Sequence, residues 1–94
     1  MGLYLTIPDL VDSEPLLSLT AGHDRLTFSV SMDADDTAVR VLRVSQEGQN
    51  IPLVVLTTDT SIIALDSVFV TDASVGGEPP VAYFTFAAQE VRFV

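Results

Sequence analysis

The sequence predicts a mainly β fold, a small antiparallel β-barrel or sandwich with one flanking helix, in a single domain over residues 1–94. Three observations carry this. The last third reads as two long arms, SIIALDSVFVTDASV and VAYFTFAAQEVRFV, around the turn GGEPP. Both arms are dense in β-branched and aromatic residues, and the Gly-Gly and Pro-Pro steps between them interrupt any continuous element. Asp24 to Met32 alternates cleanly, with Leu26, Phe28, Val30 and Met32 on one side and Arg25, Thr27, Ser29 and Ser31 on the other. That is the pattern of a strand with one wet face. Only residues 36–47 carry helical framing.

Taken in order, Leu3, Leu5 and Ile7 alternate with Tyr4 and Thr6, which predicts a strand over 2–7 that Pro8 stops. Residues 8–23 read as a linker of Pro, Asp, Ser and Gly anchored by Leu16, Leu17 and Leu19. A connection of that length is usually functional or packed over a core. The next strand is 24–32. VRVLRV suits a strand by composition, but its frame suits a helix. Asp35 and Asp36 fall where a first turn favours acids, and Gly48 is a natural terminator. Ala38, Val41, Leu42 and Ser45 share one helical face, so 36–47 is assigned as helix. Strands follow at 51–58, 61–75 and 81–94, with a tight turn at Asp59-Thr60. The predicted core is Leu5, Leu26, Phe28, Val30, Leu42, Leu53, Val55, Leu65, Val68 and Phe84.

The closing arm raises a problem of cover. Fully extended, residues 81–94 would span about 45 Å at about 3.3 Å per residue. A compact chain of this size has a radius of gyration of about 12 Å, so the arm must bend, bulge or meet a partner. From 81 to 88, one face carries Val81, Tyr83 and Ala87 and the other Ala82, Phe84, Phe86 and Ala88. One barrel core covers one face only. A subunit contact is therefore expected at Tyr83, Phe84 or Phe86.

Composition narrows the partners. Thirteen acids oppose four arginines, with no lysine, for a net charge of −9. Nucleic-acid binding needs clustered cations, and anionic membrane surfaces are disfavoured for the same reason. The absence of cysteine excludes disulfides and thiolate chemistry. The N-terminus lacks a basic region and meets Pro8 and Asp9 too soon for a signal peptide, and no apolar run is long enough for a membrane helix.

No motif supports an enzyme, a cofactor or a metal. His23 beside Asp24 lacks a nucleophile elbow and reads as a loop residue. Asp33, Asp35 and Asp36 in SMDADD resemble the opening of a calcium loop, but the turn glycine and the closing Glu are missing, and helix-capping acids explain them. Gly76-Gly77 is followed by Glu78-Pro79-Pro80 rather than a helix, so it reads as a hairpin turn. Asp66, Asp72 and Glu90 would form a hydrolytic pair only if folding brought them together.

Laid out in this order, the chain resembles a known family. YLTIPDL resembles the first strand of the haemolysin-coregulated protein (Hcp), the tube protein of type VI secretion, and DRLTFSVSM its second. TAVRVLRVSQEGQNIPLVVL is similar to the helix that runs through a Gly-x-x-Ile-Pro step into a strand in that family. LDSVFVTDASVGG and VAYFTFAAQEVRFV resemble its penultimate and closing strands. The resemblance implies a small β-barrel with a flanking helix, assembled as a homo-oligomeric six-membered ring that stacks into a tube, an architecture shared with phage tail tubes. It implies sheath, spike or effector proteins as further partners. It also implies synthesis in the cytoplasm, with export by a contractile machine or incorporation into a virion. Two departures are visible: the family carries an extended loop after the second strand, whereas Met32 here passes almost directly into Asp33–Asp36, and the basic residues of its helix region are thinned here to Arg40 and Arg43. A monomeric β-barrel that binds ligands at a pocket or sheet edge is the alternative.

Overall fold

Alternation, turn chemistry and helix framing resolve into seven strands and one helix in the computed structural model, which describes residues 2–94. The strands are β1 (Leu3–Ile7), β2 (Val11–Leu16), β3 (Ser18–Ala21), β4 (Thr27–Asp33), β5 (Ile51–Thr57), β6 (Ile62–Gly76) and β7 (Val81–Phe93). The helix, α1, spans Asp36–Glu47 between β4 and β5. All strands join one antiparallel sheet in the order β2-β1-β5-β6-β7-β4-β3. Its two outermost strands, β2 and β3, are consecutive in the chain, with only Leu17 between them. The Leu17 N–H donates to the Ser31 carbonyl at 2.7 Å, so the chain leaves β1 and joins β4 in one bend. The sheet therefore curls into a barrel whose seam is that bend.

The linker reading of 8–23 is corrected here. Ile7-Pro8-Asp9-Leu10 is a turn closed by Leu10 N–H to Ile7 C=O at 2.9 Å. Pro8 sits at its first central position and Asp9, at φ 69°, at its second, as a type II turn requires. Val11 and Leu16 then point into the core. These strands are specified by their partners in β1 and β4 rather than by their own Pro- and Asp-containing composition.

The core fills the barrel with Leu5 and Ile7 of β1, Phe28, Val30 and Met32 of β4, Val54 and Leu56 of β5, Leu65 and Val68 of β6, and Ala82, Phe84, Phe86 and Ala88 of β7. Each large side chain so buried stabilises the fold by about 1.5–3 kcal/mol. The Phe84 and Phe86 rings lie 6.5 Å apart, near parallel. The helix packs Ala38 and Val41 into the same core and lies against β6. Asp35 caps its N-terminus, accepting from Thr37 N–H at 3.0 Å and Ala38 N–H at 3.2 Å. Gly48 N–H to Ser45 C=O and Gln49 N–H to Val44 C=O close its C-terminus, with Gly48 at φ 65°. This paired bonding is a Schellman motif, which needs a left-handed residue.

Three further expectations change. Leu26 is exposed, because β4 begins at Thr27 and residues 23–26 form a turn in which Arg25 has φ 61°. Leu53 and Val55 are only half-buried, and Val54 and Leu56 are the inward residues of β5. The pairings Val54↔Leu65 and Leu56↔Ile63 impose that choice, which a strand apolar on both faces does not make alone. Leu42 packs against the core from its margin.

The long arms do bend. Straight, the fifteen residues of β6 would span about 50 Å, yet the molecule measures 34 × 32 × 28 Å. Ser67 has φ 54°, and a bulge lies between Val70 and Asp72. Near that level the inward residues of the three central strands change parity: Ile51 against Val54, Val68 against Leu65, and Ala88 against the half-buried Val91. The bends also leave β6 longer than its partner β5, which pairs only as far as Val68.

Candidate subunit interface

The register of β4, β7 and β6 fixes which side chains share the outer face of the barrel. Tyr83 stands between Ser31 and Ser74, Thr85 between Ser29 and Asp72, and Ala87 between Thr27 and Phe69. One carboxylate, Asp72, is the only charge among these nine residues. Several hydroxyls already bond within the sheet: Ser18 with Ser31, Ser29 with Thr85 at 3.3 Å, and the Thr71 hydroxyl with the Thr85 carbonyl at 3.4 Å. A hydroxyl satisfied this way can be covered by a neighbour without losing a hydrogen bond. Tyr83 is 51% exposed and Phe69 44%. The arrangement is a surface with a single charge and two large rings on it, on a chain that is otherwise strongly acidic.

Of the three residues expected at an interface, Phe84 and Phe86 lie inside the barrel, at 1% and 0% exposure. Their face of β7 is the one the core claims. Tyr83 alone is available to a partner. Phe69 and Val75, exposed apolar residues toward the turn end of the β6–β7 hairpin, were not expected, and Ile62 and Phe93 are exposed at its other end. Phe69 and Val75 both belong to the FVTDASV stretch of β6, which lies past the end of its pairing with β5.

The candidate catalytic residues do not assemble. Asp66 faces Glu90 across the β6–β7 ladder, but Arg92 clamps it with two bonds, Nε to Oδ2 at 2.8 Å and Nη2 to Oδ1 at 3.1 Å. The hydrogen bond to Asp66, with its charge, holds the Arg92 guanidinium above its usual range. Asp72 pairs with Thr85, farther along the strand. His23 is exposed in the β3–β4 turn. Its neighbour Asp24 accepts from the N–H groups of Leu26 and Thr27 and from the Thr27 hydroxyl, at 2.9–3.0 Å. Those bonds, the Leu26 N–H foremost, lower the Asp24 carboxyl. Asp35 serves as the helix cap, and among the described residues no group of three or more His, Cys, Asp or Glu could hold a metal. Gly77, at φ 94°, shapes the β6–β7 turn.

One acidic pair is off balance. Glu14 of β2 lies beside Asp35, and burial, then sharing a hydrogen bond with Asp35, raise its carboxyl. Burial also works to raise Asp35, but the Ala38 N–H, Glu14 and the Thr37 N–H outweigh it and hold Asp35 low. A groove of about 380 Å³ opens at the C-terminal end of the helix, lined by Ile7, Leu10, Val44, Ile51 and Leu53 with Gln49 and Asn50.

No protein-family model matches the sequence, and no curated protein matches it. Solved structures do. Hcp2 from Salmonella typhimurium is similar over 99% of this chain and 84% of its own, with a TM-score of 0.86 at 13% identity. Hcp1 from the same organism is similar over 98% and 83%, with a TM-score of 0.81 at 14% identity. A type VI secretion system effector from Yersinia pestis is similar over 98% and 96%, with a TM-score of 0.78 at 14% identity. The curled antiparallel sheet with its single helix is thus an Hcp-like fold.

Proposed function

We propose that the protein is a ring- or tube-forming structural subunit of a type VI secretion system or a related contractile injection or phage-tail machine, not an enzyme. The likeness to Hcp2 over 99% of the chain carries this reading. The outer face around Tyr83, with Asp72 its one charge, supports it independently, because an acidic chain can approach its own copy only where its charges are sparse. Subunits meet at that face and form a homo-oligomeric ring, taken as six-membered from the resemblance. Sheath, spike and effector proteins are its further partners, and its export is by the machine itself. Among the described residues no helix is long and apolar enough to cross a membrane. The groove at Ile7 to Leu53 favours the alternative, a monomeric binding module.

Sedimentation of the parent and of Tyr83→Asp separates the two. Tyr83 is half exposed in the single chain, so the substitution leaves the fold intact while placing a charge in an apolar contact. The ring reading expects an oligomeric parent and a variant shifted to folded monomer. An oligomer unchanged by the variant would remove Tyr83 from the interface, and a monomeric parent would favour the binding module.

A further inference from the structure

The groove at the end of the helix joins apolar walls to a polar rim. Ile7 and Ile51 are buried in its lining, and Leu10, Val44 and Leu53 are half-buried. It exists because β1 turns away at Pro8. The β1–β5 ladder runs only from Tyr4↔Thr57 to Thr6↔Val55, so residues 51–53 have no strand beside them on that side. At about 380 Å³ the groove is within the usual size of a small-molecule pocket.

The polar groups around it present acceptors. Asp9, at φ 69° in the β1–β2 turn, is exposed and is the only charged residue of the lining. Gln49 Nε2 donates to Glu47 Oε2 at 2.8 Å, and Asn50 Nδ2 donates to Ser67 Oγ at 3.0 Å. Each amide thus directs its nitrogen elsewhere and keeps an oxygen that, among the described residues, accepts no hydrogen bond. The C-terminal end of a helix carries a partial negative charge that a cation relieves. No basic residue stands in the last turn of α1, and Glu47 adds a carboxylate there. Arg40 is turned to the Leu10 carbonyl at 3.4 Å, and the one ion pair among the described residues is Arg92 with Asp66. An apolar groove under an acceptor rim that lacks a cation of its own is complementary to an apolar body carrying an ammonium group.

We propose that this groove binds a small organic amine, its apolar body against Ile7, Ile51 and Leu53 and its ammonium group at Asp9 and the free oxygens of Gln49 and Asn50. The site lies within one chain, so its test is separate from that of the ring. Hexylamine, hexanol and hexanoate share one apolar body and differ only in the polar end. Isothermal titration calorimetry at about 0.15 M salt screens charges beyond about 8 Å and leaves local contacts. Hexylamine should bind one per chain, hexanol about tenfold more weakly, as loss of a charged hydrogen bond implies, and hexanoate not at all. Asp9→Asn keeps a residue that tolerates positive φ and should reduce hexylamine binding to the level of hexanol. Asp12→Asn removes the same charge from an exposed position outside the groove and should bind as the parent does. Equal binding of hexylamine and hexanol, or equal loss in both variants, would overturn the proposal, the second by showing attraction to net charge alone. So would the absence of saturable binding. A capped apolar tripeptide with a central lysine that bound more tightly than hexylamine would make the occupant a peptide segment and overturn the small amine.

Discussion

Phe28 shows how far a single alternating strand specifies its own burial. It is 3% exposed and faces Phe86 across the β4–β7 ladder. Phe28→Ala should cost about 3–5 kcal/mol in a urea titration, and a loss below about 1 kcal/mol would mean the cavity is not where the packing puts it. Two residues before it, Leu26 belongs to the same alternation yet faces solvent, because the Asp24 side chain ties up the Leu26 and Thr27 amides in a turn. Local pattern cannot see that capping. Glu14 and Asp35 give a pH-dependent case. Glu14, raised in the fold above its ordinary 4.5, favours folding while protonated and loses that contribution as pH rises through its raised value. Asp35, lowered from 3.8, favours folding above its ordinary range and loses that contribution as pH falls. Glu14→Gln keeps a donor to Asp35 and removes the repulsion. Its urea midpoint should exceed the parent's at pH 7 and converge on it at about pH 3; an equal midpoint at both would show the two carboxyls to be independent.

At the scale of elements, the helix was legible to the residue, at 36–47, because capping chemistry is local. Gly48 tests it. Its φ of 65° is strained for any L side chain, although a Cβ there would meet nothing within 4 Å. Gly48→Ala should therefore cost about 1–2 kcal/mol through backbone strain alone, with Gly48→Asn costing less. Equal stability of all three would mean the helix ends without the Schellman turn. The strands at 2–7, 51–58, 61–75 and 81–94 were legible to within one residue of β1, β5, β6 and β7, because their β-branched and aromatic content is high. β2 and β3 were not. Their sequence, VDSEPLLSLTA, has the composition of a loop, and they become strands by lying between β1 and β4. The inward side of β5 was misread for a related reason. Leu53, Val54, Val55 and Leu56 offer apolar side chains to both faces, and only the ladder with Leu65 and Ile63 selects one.

For the whole molecule, the mismatch between arm length and globule size was the informative quantity. A radius of gyration of 12.1 Å cannot hold a straight β6 or β7, and the bends at Ser67 and the Val70/Asp72 bulge follow. The expectation that β7 needs cover on two faces separates cleanly in the fold: Phe84 and Phe86 satisfy one face inside the barrel, and Tyr83 with Phe69 leaves the other open. The contact face was therefore only partly legible, since alternation shows that two faces are apolar and the curl of the sheet decides which is inside. The short passage from Met32 to Asp36 is also real, with β4 ending at Asp33 and the helix starting at Asp36. Assembly is read most directly from one quantity, the mass of the protein in solution. Native mass spectrometry of the unmodified chain should give a single closed species at an integer multiple of 10.1 kDa, six for the ring inferred from the resemblance. A spectrum dominated by the 10.1 kDa monomer at high protein concentration would contradict the account.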